Sequence, residues 1–122
     1  MILAALLLAS AAAPSACAGY YALIPKDDRA GVPFSVQIAG GKARLVAMDY
    51  ERFETPARVD DHGAVNFVNP ANQARYQLTC DAGGANIVIS YPDSGAPDRY
   101  RLVRTRTDIF GVAKARHWPI GD

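Results

Sequence analysis

No Asp, Glu, Lys or Arg precedes Lys26, so the amino-terminal fifth of the chain carries no side-chain charge. The chain also lacks a basic excess: its formal net charge is +1 over 122 residues, which argues against a nucleic-acid-binding protein. Histidines number only two and cysteines two. No Gly-rich phosphate loop opens a helix, and no nucleophile-elbow pattern occurs. Long helical periodicity is missing as well, because no segment before residue 107 repeats its apolar residues every 3.6 positions. Disorder and a long-helix protein are both excluded by 8 Pro and 10 Gly set in a chain that is 50% apolar. What is present is one small domain's worth of sequence.

The apolar fraction is unevenly distributed. Fifteen of the first 18 residues are apolar, and the 104 that follow hold about 44%, an ordinary globular value. Ile2 to Ala13 is apolar except for Ser10, too short for a membrane span and the right length for the h-region of a signal peptide, although the basic n-region is missing. Residues 1–18 are therefore expected to be an export signal. Two cuts fit. Small residues at Ala16 and Ala18 release Gly19, while Pro14-Ser15-Ala16-Cys17 reads as a lipobox, at which a lipoprotein signal is cut before a cysteine that receives lipid. Pro14 departs from the aliphatic residue usual there. Lipidation of Cys17, and with it a membrane tether, is the expectation taken forward, with plain secretion beside it and an uncleaved anchor as the bland reading.

Either cut removes or blocks Cys17, so a Cys17–Cys80 disulfide is not expected and the mature chain is left with one thiol. Cys80 ends the alternating stretch Tyr76-Gln77-Leu78-Thr79-Cys80. It shares a face with Tyr76 and Leu78 and reads as a buried small hydrophobe.

From Gly19 onward, strands alternate with turn clusters. Phe34, Val36 and Ile38 alternate with Ser35, Gln37 and Ala39, which is the period of a half-buried strand. Gly40-Gly41 then forms a two-residue hairpin turn, because both positions need positive φ. That turn fixes the register: Ala39 faces Lys42, Ile38 faces Ala43, Val36 faces Leu45 and Phe34 faces Ala47. Val46, Met48 and Tyr50 lie on the other face and need a cover. Phe53 to Val59 and Ala64 to Asn69 flank the turn Asp60-Asp61-His62-Gly63, and Arg75 to Cys80 and Asn86 to Tyr91 flank Asp81 to Ala85. Asp98 to Arg106 is the last strand. The fold class expected is all-β, a small antiparallel up-and-down meander closing or nearly closing into a barrel over residues 19–106, with 107–122 packing on it as a short helix or edge strand. The inward face comprises Tyr21, Leu23, Phe34, Val36, Ile38, Leu45, Val65, Phe67, Tyr76, Leu78, Ile87, Ile89, Tyr100 and Leu102. Side chains this large fill a small barrel and leave no generous internal cavity.

The opening Gly19-Tyr20-Tyr21-Ala22-Leu23-Ile24-Pro25, the acidic loop ending at Gly31, the Gly40-Gly41 hairpin, Met48-Asp49-Tyr50 and the closing Tyr100-Arg101-Leu102-Val103-Arg104 resemble the layout of small lipocalin-like envelope domains. The amino-terminal barrel of NlpE-type lipoproteins is the nearest such layout. The resemblance implies a barrel, an envelope location and a lipid tether. That family's paired cysteines after the first strand are replaced here by Lys26-Asp27-Asp28-Arg29, so no metal or redox role is implied.

Candidate chemical groups are sparse. His62 beside Asp60 and Asp61 suits a weak cation site, but those residues are also what a tight turn selects. Asp49, Glu51 and Glu54 suit an acid–base pair, yet acidic runs at strand ends are usually solvated. No catalytic residue, metal site or cofactor is therefore expected. Charge is concentrated elsewhere: Arg99, Arg101, Arg104, Arg106, Lys114 and Arg116 against Asp108 give residues 99–117 a charge of +5. This basic patch suits anionic lipid or an acidic partner, its bland counterpart being a solvated face paired with Asp49, Glu51 and Glu54. The function expected is a noncatalytic interaction protein of the cell envelope, exported and periplasmic or outer-membrane-anchored. Its partner is an envelope protein, lipid or glycan and not nucleic acid. A small-ligand or metal-binding barrel comes second and an enzyme third.

Overall fold

The computed structural model of the protein describes residues 17–25 and 32–118. The apolar stretch read as an export signal, the Lys26 to Gly31 loop and residues 119–122 lie outside the described residues.

Among the described residues, nine antiparallel strands form one sheet: β1 Gly19–Ala22, β2 Phe34–Ala39, β3 Lys42–Ala47, β4 Arg52–Pro56, β5 Arg58–Val59, β6 Val65–Val68, β7 Arg75–Cys80, β8 Gly84–Ser90 and β9 Asp98–Thr105. A helix, α1, follows at Ile109–Ala115. The order across the sheet is β4-β3-β2-β1-β9-β8-β7-β6-β5. First and last strands are thus neighbours, with Tyr20 opposite Thr105 and Ala22 opposite Val103. The meander closes on itself into a nearly closed barrel, and its two sheet edges, β4 and β5, are separated only by Ala57.

The Gly40-Gly41 hairpin has the register that its turn requires, pairing Phe34 with Ala47, Val36 with Leu45 and Ile38 with Ala43. Both glycines have positive φ, 59° and 76°. Large side chains therefore face smaller ones across the inner surface. The core is the expected inward set, buried apart from a partly buried Tyr100, and joined by Cys17, Ala43, Ala47, Ala74 and Ala85. Small residues at these last positions let the walls approach where Tyr21, Phe34 and Tyr76 already occupy the interior. A side chain is barred at Gly84, where an added Cβ would overlap the carbonyl of Leu102 on β9.

The segment after β9 is the helix alternative, and it covers the face that Val46 and Met48 left apolar. Ile109 and Val112 pack on Ala22 and Val46, with Ile24, Met48, Phe110 and Trp118 around them. Phe110 stacks on Tyr50 at 5.5 Å. Asp108 caps the helix, accepting from the N–H groups of Phe110 and Gly111. Ser35, 1% exposed, accepts from the Ile109 N–H at 2.9 Å. A hydroxyl in an otherwise apolar patch thus satisfies one of the donors that a helix start leaves orphaned. At Gly111 an added Cβ would collide with the Thr107 side chain, so the residue that weakens helix propensity is the one that lets this turn close.

The cysteine expectation is corrected. Cys17 and Cys80 form a disulfide across 63 residues. Cys17 is 3% exposed, and its carbonyl accepts the Tyr21 hydroxyl at 2.9 Å. The reason is closure: pairing β1 against β9 delivers the residues just before β1 to the end of the barrel where β7 finishes. A sulfur bonded to Cys80 cannot also carry a lipid thioether, so lipidation of Cys17 and this disulfide are alternatives.

Two outcomes follow. A loop of 63 residues gives a chain-entropy stabilisation on the order of 4 kcal/mol. Reduction or Cys80→Ala is expected to lower the thermal midpoint by more than about 10 °C, checked by calorimetry with and without reductant. Asp108→Ala is expected to cost about 1 kcal/mol in urea denaturation, with the barrel transition otherwise unchanged.

Candidate functional site

The barrel's two ends differ in chemistry. At one, the turns are tight and the charges are paired. Asp81 closes the β7–β8 turn by accepting from Gly83 and Gly84 N–H groups, both at 2.9 Å. Its two oxygens also take a fork from Arg101, at 2.7 and 2.9 Å. That guanidinium holds the Asp81 carboxyl down to about 2. Arg104, two strand positions past Leu102 and so on the inward side, donates through Nε to the Asp81 carbonyl at 3.2 Å. Its guanidinium sits 5.0 Å from the Tyr21 ring centre. Together with the Cys17–Cys80 bond these groups plug this end.

The other end carries the longer connections, residues 48–51, 69–74 and 91–97, and a cluster of phenols and carboxylates. Burial, with the Glu51 charge nearby, pushes the Tyr76 hydroxyl up to about 12. Tyr91 and Tyr100 are also raised, by burial and then by Asp98. Asn69, 1% exposed, donates to Glu51 at 3.5 Å and accepts from the Ala71 N–H. Phe34 meets Tyr100 edge-on at 5.8 Å.

Between β4 and β6 the hydrogen-bonded wall is interrupted, and this seam is the candidate site. Its origin is Pro56. The β5–β6 ladder pairs Arg58 with Asn66, so in continued register Pro56 would face Val68. Proline has no N–H to give, and the chain bends there instead. Aromatic rings bridge the interior side of the break: Phe53 on β4 lies 6.4 Å from Phe67 and 5.6 Å from Tyr76, and Phe67 stacks on Tyr76 at 4.9 Å. Outside, a surface groove of about 510 Å³ is lined by Thr55, Pro56, Arg58, Asn66, Phe67, Val68, Arg75 and Tyr76. A second, of about 470 Å³, shares Val68 and Arg75 and continues to Tyr91 and Pro92. Val68 and Tyr91 are exposed, at 42% and 37%. The described ion pairs are Arg101–Asp81 and Lys42–Glu54, so neither groove arginine is neutralised.

All six basic residues of the stretch from Arg99 to Arg116 are exposed. Arg99 and Arg101 alternate onto the outer face of β9, and Arg101 is engaged by Asp81. Arg104, also exposed, donates to the Asp81 carbonyl beside the Tyr21 ring. Arg106, Lys114 and Arg116 are exposed on the segment that follows. Pairing with Asp49, Glu51 and Glu54 is not found: Glu54 joins Lys42 at 3.5 Å, and Glu51 meets Asn69. Around His62, Asp60 accepts from the His62 and Ala64 N–H groups and from Asn66 Nδ2, which lowers its carboxyl from the usual range. Among the described residues no group of three or more His, Cys, Asp or Glu side chains converges, and no helix is long and apolar enough to cross a membrane.

Sequence reasoning missed the seam by running one strand from Phe53 to Val59. Pro56 was the available signal, since proline inside a strand marks an edge or a bend.

Because the Asp81 carboxyl is depressed to about 2 in the folded chain, its contribution is complete above the ordinary carboxylate range and disappears as pH falls towards 2. The stability difference between the protein and Asp81→Asn is expected to be constant above about pH 5 and to shrink to nothing near pH 2, measured by urea denaturation across that range.

No family model, curated protein or solved structure matches this chain.

Proposed function

We propose that this chain is an exported, noncatalytic binding domain of the bacterial cell envelope, and that it meets a macromolecular partner along the β4–β6 seam and the adjoining rim. The observation that supports this reading best is where the unused surface lies. Side chains occupy the barrel's middle, from Tyr21 and Leu102 to Tyr76 and Phe53, which argues against a small ligand held inside. The exposed Val68 and Tyr91 and the arginines Arg58 and Arg75 instead line two adjoining outer grooves. A mixture of aromatic, aliphatic and Arg side chains on one rim is the composition of contact surfaces rather than of plain solvated ones.

The cysteine pair adds to the export reading, because structural disulfides persist in oxidising compartments. On that reading the export signal is removed ahead of Cys17, and the sulfur serves the disulfide rather than a lipid. On the same reading one member of the basic stretch, Arg101, is committed to the Asp81 turn. A small-ligand barrel is the alternative, with the tyrosine-lined end as its mouth.

A photo-crosslinking residue placed at Val68 or Tyr91 is expected to trap a discrete polypeptide in intact cells, while the same residue at Thr79 on the outer wall traps none. Equal trapping at all three positions would overturn the reading. Intact mass of the exported protein, run without reductant, is expected to show a chain that retains Cys17, carries no lipid and is oxidised.

A further inference from the structure

The seam leaves a strand edge without a hydrogen-bonded neighbour among the described residues, and hydrogen-bond parity identifies which groups it offers. Ala57 donates its N–H to Gly41, and Ala47 donates to Glu51. Alternate residues of an antiparallel pair exchange both bonds, so Phe53 and Thr55, opposite Leu45 and Ala43, spend theirs on β3. Arg52 and Glu54, one step out of phase, turn N–H and C=O away from β3, to the side where no strand pairs with β4. A row of backbone donors and acceptors of this kind is a template for an added strand. Natural edges are commonly guarded by a proline, and here Pro56 ends the row instead of interrupting it.

Charge selects among the strands that would fit. Arg52, Arg58 and Arg75 are exposed along the seam, and Arg58 and Arg75 line its groove. None of the three has an ion pair among the described residues. The one carboxylate on β4 is Glu54, and Lys42 already meets it at 3.5 Å. Beneath them the Phe67–Tyr76 stack offers an apolar floor. A strand laid along β4 points alternate side chains outward to the arginines and inward to the rings.

We infer that the free edge of β4 binds an extended segment of a partner polypeptide by strand addition, and that the segment alternates carboxylate with apolar side chains. This rests on the binding reading above and specifies the partner's chemistry. Backbone hydrogen bonds to Arg52 and Glu54 supply the attachment, and Arg58 and Arg75 supply the preference for acidic sequence.

The test uses the full oxidised chain and three synthetic peptides: one alternating Val or Thr with Glu, its counterpart with Lys in place of Glu, and the Glu peptide N-methylated at alternate backbone positions. The Glu peptide is expected to slow amide hydrogen exchange at Arg52 and Glu54 by roughly tenfold or more, and the other two peptides are expected to leave it unchanged. An Arg58→Glu, Arg75→Glu double variant is expected to reverse the preference between Glu and Lys peptides. Its thermal midpoint should match the parent's, because both side chains are exposed. Strand addition is overturned by equal protection from the N-methylated peptide, by no protection at high peptide concentration, or by protection that grows with protein concentration alone, which would assign the edge to a second copy. If crosslinks at Val68 and Tyr91 persist while the peptides fail, the binding reading stands and strand addition falls.

Discussion

The fold depends on whether a four-residue strand can hold the middle of a sheet. β1 is Gly19–Ala22 and nothing longer, yet it must pair with β2 on one side and β9 on the other for the meander to close. So short a strand offers few ladder bonds on either side, and β9 can find it only by closing a loop that spans about two thirds of the chain, which carries an entropic cost. The Cys17–Cys80 bond acts at that weak point. It ties the residue two positions before β1 to the end of β7, so the strand is anchored across the barrel as well as along its ladders. Tyr21 reinforces the anchor from within the core, through its hydroxyl on the Cys17 carbonyl and its ring beneath Arg104. The helix does the same outside, where Ala22 is buried by Ile109 and Val112.

Once the first and last strands are joined, the remaining gap has to fall elsewhere, and Pro56 decides where. Counting β4 and β5 as one bent strand, every chain neighbour pairs with the next all the way round. A proline at the bend removes the donor that would carry the β5–β6 ladder upward. Phe53, Phe67 and Tyr76 replace that ladder with ring packing. Ring contacts seal the core against water but leave backbone groups on β4 unmatched. The seam is therefore a place where the barrel is closed to its interior and open to a partner.

Much of the wall was legible in the sequence because strand alternation and turn chemistry are local. Gly40-Gly41 needs positive φ at both positions, and the register of β2 on β3 follows residue for residue. The inward set followed from period-2 alternation alone. Three things were not legible, each for a non-local reason. The disulfide depends on β1 meeting β9, which no local pattern encodes, so the small residues around Cys17 spoke only of processing. The bend at Pro56 was written in the sequence, but Phe53 to Val59 was read as one strand flanking the Asp60-Asp61-His62-Gly63 turn, and where the ladder changes partner depends on which strand lies alongside. The partner within the cationic stretch was the third, because nothing local says that Asp81, 20 residues before Arg101, closes on it. In a strand, Arg101 and Arg104 leave the backbone on opposite sides of the wall, and one turn residue, Asp81, meets Arg101 through its carboxylate and Arg104 through its main-chain carbonyl.

That last arrangement bears on where binding energy can come from. Arg101 is already held by the Asp81 carboxylate, so recruiting it to a partner means breaking a bidentate pair. Arg58 and Arg75 carry no such obligation, and the groove between them already has an aromatic floor and an unmatched strand edge beside it. A charge that is free in the unbound state adds its full attraction on binding, whereas a paired one adds only the difference between two partners. The least conspicuous arginines in the sequence, isolated at 58 and 75, are on this ground better placed to recognise an acidic partner than Arg101, whose fork is already closed on Asp81.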